Sequence, residues 1–207
     1  MRTVYCLALF FAANGWLALG IVAASAASPQ HLVIGVLCNV SDMNQSIANS
    51  ERAMAVPFFK RVLAKDDLAF VISFGETSTL EQPLTSNVER LERAMSRIPP
   101  GSGQAAYDAV YVAATEVLTP QTGRNVLVVV SQGRDTNSIE KESNVVAALQ
   151  KASVTCFVVL DESQSTVGEV EMRRLAEATG GKLFTVKTPD AVARAYDAII
   201  SALEPTP

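Results

Sequence analysis

Apolar runs alternate with amphipathic stretches along this chain from residue 32 to residue 203. Residues 32–38 carry no charge and then meet Asn39, Ser41 and Asp42 together. A β-branched run of that kind suits a strand buried on both faces, in the middle of a parallel sheet. Residues 68–74, 125–131 and 154–160 repeat the pattern, 182–186 gives a shorter strand, and 77–80 reads as a short edge strand.

Helical periodicity fills the gaps. Over 44–64, Ile47, Met54, Phe58 and Val62 fall near one face and Glu51, Arg52, Lys60 and Arg61 on others, with Pro57 expected to kink or break the helix. Ser86 with Glu89 forms a capping-box pair that opens a helix over 87–97. A helix over 104–118 should bury Ala106, Val110, Ala113 and Val117; others follow over 143–152 and 167–178. Thr188 caps the last, with Pro189 at its first position and Val192, Ala195, Ile199 and Leu203 facing inward.

This alternation predicts an α/β fold, a doubly wound, mostly parallel central sheet with helices on both faces. Open sheets of that kind place their sites at the carboxyl edge of the strands. Residues 39–43, 101–104 and 131–135 should converge there.

The start of the chain has a different character. Met1 and Arg2 precede an uncharged, mostly apolar stretch that ends in Ala24-Ser25-Ala26. A basic start, an apolar run and a small-x-small end describe a secretory signal over 1–26, cleaved after Ala26. The run is also long enough to span a bilayer, so a retained anchor is the competing reading. In either case the protein is exported, secreted or held in the cell envelope, with membrane contact only if the segment is kept. Cys6 lies near the beginning of the run, where a lipoprotein cysteine would not be, so no lipid anchor is expected. One domain, 27–203, follows, and 204–207 should be a frayed tail.

Composition narrows the function more than the fold. A net charge of −4 with no basic cluster gives no support for nucleic-acid binding. One histidine, His31, sits before the first strand, where a solvated role fits better than a catalytic pair. With one His and two Cys beyond the leader there is no zinc set. Cys38 and Cys156 invite a disulfide in an oxidising compartment, but both lie inside apolar strands, which favours buried free thiols. Gly101-x-Gly103-x-x-Ala106 loosely fits a dinucleotide fingerprint, yet a helix and Pro99-Pro100 stand where the first strand should directly precede it.

Set side by side, the motifs carry a resemblance. Gly101-Ser102-Gly103-Gln104-Ala105-Ala106-Tyr107-Asp108-Ala109 resembles the Gly-Gly-Gly-Thr-Ala-x-Tyr-Asp-Ala segment of von Willebrand factor type A domains. Val129-Val130-Ser131-Gln132-Gly133-Arg134-Asp135-Thr136 resembles their Ser-Asp-Gly-x-Asp-Thr segment. Gly35 falls at the glycine of the first strand, Glu51-Arg52 at the expected distance beyond the DxSxS motif, and 175–181 at the helix-to-strand turn near the end. The likeness is greatest to the exported bacterial subgroup and spans 32–203.

In that family the three segments hold a divalent cation through an Asp, two Ser, a Thr and a second Asp, and a partner's carboxylate completes the shell. Carried over residue by residue, the resemblance implies that Asn39 replaces the first Asp, Ser41 is kept, and Met43 replaces the second Ser. Gln104 stands for the Thr and Gln132 for the second Asp. Hard cations need oxygen donors with anionic charge, so the implied adhesion site is degenerate, with no metal and no cofactor expected. Asp42 and Asp135 are neighbours that offer some charge, which keeps weak cation binding as an alternative. The family pattern also makes Asp108 a framework residue and puts the strand at 125–131 between those carrying Cys38 and Cys156. Their Cα atoms would then be about 10 Å apart, beyond disulfide reach.

The sequence thus predicts a non-enzymatic module that binds a protein partner, with no catalytic residue. Its binding edge comprises Asn39, Ser41, Asp42, Met43, Gln104, Gln132, Arg134 and Asp135. The amides themselves are candidates for holding the loops together. A nucleotide-using enzyme in the same crevice is the alternative, and the lack of a phosphate loop, general base or metal set counts against it.

Overall fold

The computed structural model describes residues 31–41, 45–163 and 167–204. The leader over 1–26 lies outside the described residues, as do Asp42 and Met43. Among the described residues six strands form one sheet, β1 (Leu32–Asn39), β2 (Leu68–Phe74), β3 (Ser78–Thr85), β4 (Arg124–Ser131), β5 (Val154–Asp161) and β6 (Leu183–Val186). Their order is β3-β2-β1-β4-β5-β6, and every pairing is parallel except β2 with β3. β1 therefore lies in the interior of the sheet, and all eight of its residues are buried. That is the environment an uncharged, β-branched run requires.

The strand period sorts alternate side chains onto two cores. Ile34, Val36 and Val128 meet α1 (Gln45–Val62), α2 (Val88–Arg97) and α6 (Pro189–Leu203) on one face. Val33, Leu37, Phe70 and Leu127 meet α3 (Ala106–Val112), α4 (Glu142–Lys151) and α5 (Glu169–Glu177) on the other. Gly35 is required by this packing, because a Cβ there would stand 2.2 Å from the tip of the Phe70 ring. On the first face Phe58 of α1 meets the Tyr196 ring of α6 edge-on, with centroids 5.2 Å apart.

Cys38 pairs in register with Val130, and Leu127 with Cys156, so β4 separates the two cysteine strands. Both thiols are free and buried, and burial pushes each up to about 12.

Four local expectations need correction. The edge strand is twice as long as the 77–80 reading, running antiparallel over Ser78–Thr85 with register shifts and Pro83 inside it. α2 is capped by Asn87, not Ser86: the Asn87 side chain accepts from Arg90 N at 3.0 Å. α1 runs unbroken through Pro57, which is exposed, as is Ala53 four residues earlier, whose carbonyl loses its helical partner. The face that α1 buries carries Glu51, Ala55, Phe58 and Phe59, while Met54 and Val62 are only half-buried.

The helix predicted over 104–118 starts at Ala106 and changes its winding at Ala113, continuing as a π-helical stretch, Ala113–Leu118. Thr119 N donates to Ala114 O at 2.9 Å, five residues back. The wider turn advances the buried stripe by one residue, so Leu118 is buried and Val117 is not.

Candidate functional site

Each of the three convergent segments follows a strand end or opens a helix. β1 ends at Asn39, whose side-chain Oδ1 accepts from Ser41 N at 2.7 Å. This short Asx turn swings the chain over the sheet edge. Val40 N donates to Phe74 O at the end of β2, and Val40 O accepts from Gly101 N, both at 2.9 Å. Ser41 and Gly101 form an isolated parallel bridge. The first loop is thereby stitched to the second.

Side chains complete the connection. Gln132, just past β4, accepts through Oε1 from Ser41 Oγ at 3.2 Å and from Gln104 Nε2 at 3.1 Å. Its own Nε2 donates to Ser41 O at 3.5 Å. Asn39, Ser41 and Gln104 are buried, at 8%, 8% and 6% exposure, so these bonds form largely out of water. Four of the eight predicted residues, Asn39, Ser41, Gln104 and Gln132, are thus drawn into one neutral hydrogen-bonded cluster.

Asp135 belongs to a different construction. Its carboxylate accepts from Tyr107 N at 2.8 Å, Ser138 N at 3.1 Å and Ser138 Oγ at 2.7 Å. Asp108 returns the arrangement, accepting from Ile139 N at 3.0 Å and Glu140 N at 2.8 Å. These two carboxylates lock the loop after β4 onto the start of α3, which is the framework role expected of Asp108. Asn137 adds to the lock: its Oδ1 accepts from Gln104 N at 3.0 Å, and Thr136 N donates to Gln104 O at 3.0 Å. Asn137 and Ser138 were missed by sequence reasoning. Their signal was the turn-forming run Asp135-Thr136-Asn137-Ser138.

Two shallow clefts flank this loop. One of about 460 Å³ is lined by Ser41, Gly101, Gln104, Arg134 and Thr136, and the other, of about 450 Å³, by Tyr107, Arg134, Asp135, Val167 and Glu171. Arg134 is exposed and borders both. The floor of the second is made by close backbone contact, since a Cβ on Gly168 would meet Gly133 O at 1.9 Å. Both glycines have positive φ, +83° and +89°. Burial, and then the charges of Glu142, Asp135 and Glu171, push the Tyr107 phenol up to about 12.

Beneath the edge, Glu51 faces inward from α1 at 7% exposure. Burial, reinforced by Asp161, lifts its carboxyl well above the usual range, and Arg52 opposes the rise. A third hollow, about 560 Å³, opens at the opposite edge of the sheet between α1 and α6, lined by Leu32, Val62, Ile200 and Leu203 among others. It lies away from every polar strand end, and Arg124 crosses it to donate to Leu203 O at 2.7 Å. Among the described residues no group of three or more His, Cys, Asp or Glu is placed to hold a metal ion, and no helix is long and apolar enough to cross a membrane.

No protein-family model matches the sequence, and no curated protein matches it. Solved structures do match in fold. Proximal thread matrix protein 1 from the mussel byssus, solved with a zinc-occupied MIDAS motif, superposes with a TM-score of 0.73 at 16% identity. The alignment covers 84% of this chain and 46% of the mussel protein, so the chain spans less than half of that relative. The vWF domain of the type V pili tip protein Mfa5 from Porphyromonas gingivalis gives 0.70 at 11% identity, covering 86% of this chain and 96% of that one. The conserved hypothetical protein BatB from Bacteroides thetaiotaomicron gives 0.67 at 17%, covering 84% and 98%.

Proposed function

From a chain with the von Willebrand factor type A fold, we propose a non-enzymatic, exported binding module that recognises a protein through the carboxyl edge of its sheet without a metal ion. The observation that carries this reading is the cluster of Gln132 Oε1 with Ser41 Oγ and Gln104 Nε2. A divalent cation needs inward-facing oxygen lone pairs, several of them anionic. Here Gln104 directs an N–H toward the shared oxygen, Asn39 Oδ1 is taken by Ser41 N, and Asp135 is engaged in its own turn. The described residues do not fit the ion. The amides join the three loops where a cation would otherwise do so.

Recognition then rests on direct hydrogen bonds and apolar contact, with Arg134 and Met43 as anchors. Export rests on the apolar leader over 1–26, cleaved or kept. The pilus-tip domain from Porphyromonas gingivalis and the byssal matrix protein, both of this fold, support an adhesive or scaffolding role.

Thermal unfolding with and without Mg²⁺ or Mn²⁺ tests the reading. Wild type is expected to show no shift, whereas Asn39→Asp, Met43→Ser, Gln104→Thr and Gln132→Asp together recreate a site. At a hundredfold excess over its dissociation constant a bound ion adds about 2.7 kcal/mol. For a domain of this size that is a rise of roughly 5–10 °C. A wild-type shift of that size overturns the metal-free reading.

A further inference from the structure

Arg134 stands on the ridge between the two clefts of the carboxyl edge. Its basic neighbours on that side of the molecule are matched: Arg173 with Glu169, Arg174 with Glu142, and Lys187 with Glu162. Arg134 pairs with no carboxylate among the described residues. Asp135 beside it is held by Tyr107 and Ser138, and Glu171 across the second cleft lies 3.8 Å from Arg174. The loop that carries Arg134 is held by Asp135 on one side and by the Gly133–Gly168 contact on the other. A held backbone spares the cost of ordering the loop on binding and leaves only that of the Arg134 side chain. Past it, Val167 is 54% exposed, and Val170, in the first turn of α5, is 63% exposed.

We propose that Arg134 is the seat for a carboxylate presented by the partner, and that the shoulder of Val167 and Val170 takes an apolar side chain from the same segment. The occupant is an extended stretch of protein carrying an acidic residue beside an apolar one. This rests on the reading of the carboxyl edge as a protein-binding face. Among the described residues that line the two clefts Arg134 is the basic one, while Asp135 and Glu171 in the second are engaged with Tyr107, Ser138 and Arg174. A planar guanidinium discriminates a carboxylate from an amide by charge and by its paired donors. That discrimination strengthens as the apolar side chain excludes water from the pair.

The full chain, kept in EDTA, is titrated with two C-terminally amidated peptides bearing an uncharged fluorophore at the N-terminus, Ala-Leu-Glu-Leu-Ala and Ala-Leu-Gln-Leu-Ala, and anisotropy is read. The glutamate peptide is expected to bind about tenfold more tightly, a difference of ~1.4 kcal/mol. Arg134→Gln removes that preference, Arg134→Lys keeps part of it, and Val167→Asp weakens both peptides. Equal binding of the two peptides, no binding of either, or a preference that survives Arg134→Gln overturns the proposal. None of these results touches the metal-free reading, which falls to a wild-type response to Mg²⁺ instead.

Discussion

Two adjacent parts of one sheet edge treat polar groups in opposite ways. Around Asp108 and Asp135, carboxylates are retained and each is surrounded by N–H and O–H donors, three on Asp135 alone. Around Asn39, Gln104 and Gln132 the groups are neutral and bond to one another or to Ser41. The difference follows from what surrounds each group. A carboxylate is stable away from bulk water when fixed donors or a cation balance it, and the turn over 135–140 supplies donors from its own backbone. The neighbouring cluster offers a mixture of donors and acceptors, the backbone N–H and C=O of Ser41 among them, and amides, being both donor and acceptor, match such a mixture without a charge. One half of the edge is therefore a clamp and the other is a neutral joint.

The clamp carries the largest expected effect. Asp135→Ala leaves three donors without their acceptor and is expected to cost about 2–4 kcal/mol, read as a lower urea midpoint. Asp135→Asn should recover part of that loss. A cost for Asp135→Ala within about 0.5 kcal/mol of zero would show that the clamp does not organise the edge.

Glu51, unlike either group, is a buried carboxyl whose Oε1 meets no hydrogen-bond partner among the described residues. Its folded pKa is raised, so the native state holds this proton more tightly than the unfolded chain does. Its contribution is whole below the unfolded value of about 4.3 and is lost as pH rises toward the folded one. Glu51→Gln cannot ionise. Its urea midpoint should gain on that of wild type as pH is raised from about 5 through neutrality. A gap that stays constant over that range would show that Glu51 is not held protonated by burial.

The smallest effect belongs to the joint. Gln104→Ala and Gln132→Ala, singly and together, should show a coupling of about 0.5–1 kcal/mol in unfolding free energy. Additive losses would mean that the 3.1 Å contact between the two side chains contributes nothing of its own.

The sheet and most of its helices are legible in the sequence, because burial on both faces writes itself as uncharged runs such as 32–38 and 125–131. The final helix was legible for the same kind of reason: Thr188 accepts from Ala191 N, and Val192, Ala195, Ile199 and Leu203 are buried, as local spacing required. The convergence of residues 39–41, 101–104 and 132–135 was legible through topology. What the polar groups do there was not. Whether Asp135 points at the cleft or into its own turn depends on donors from Tyr107 and Ser138, which only the packed loop brings within reach.

The layers, and the amides that stand at positions 39, 104 and 132, can be read from the sequence alone, because they depend on residue type and short-range period; the place of β4 between the two cysteine strands followed only from the family resemblance. Tertiary structure alone decided that Glu51 faces inward, that the stripe after Ala113 advances by one residue and that Asn87 serves as the cap in place of Ser86. It also decided that Gln132 is the residue through which Ser41 and Gln104 meet. Each of these turns on which neighbour lies within about 3 Å in space, a distance that hydrogen bonding and burial enforce and that linear spacing does not encode.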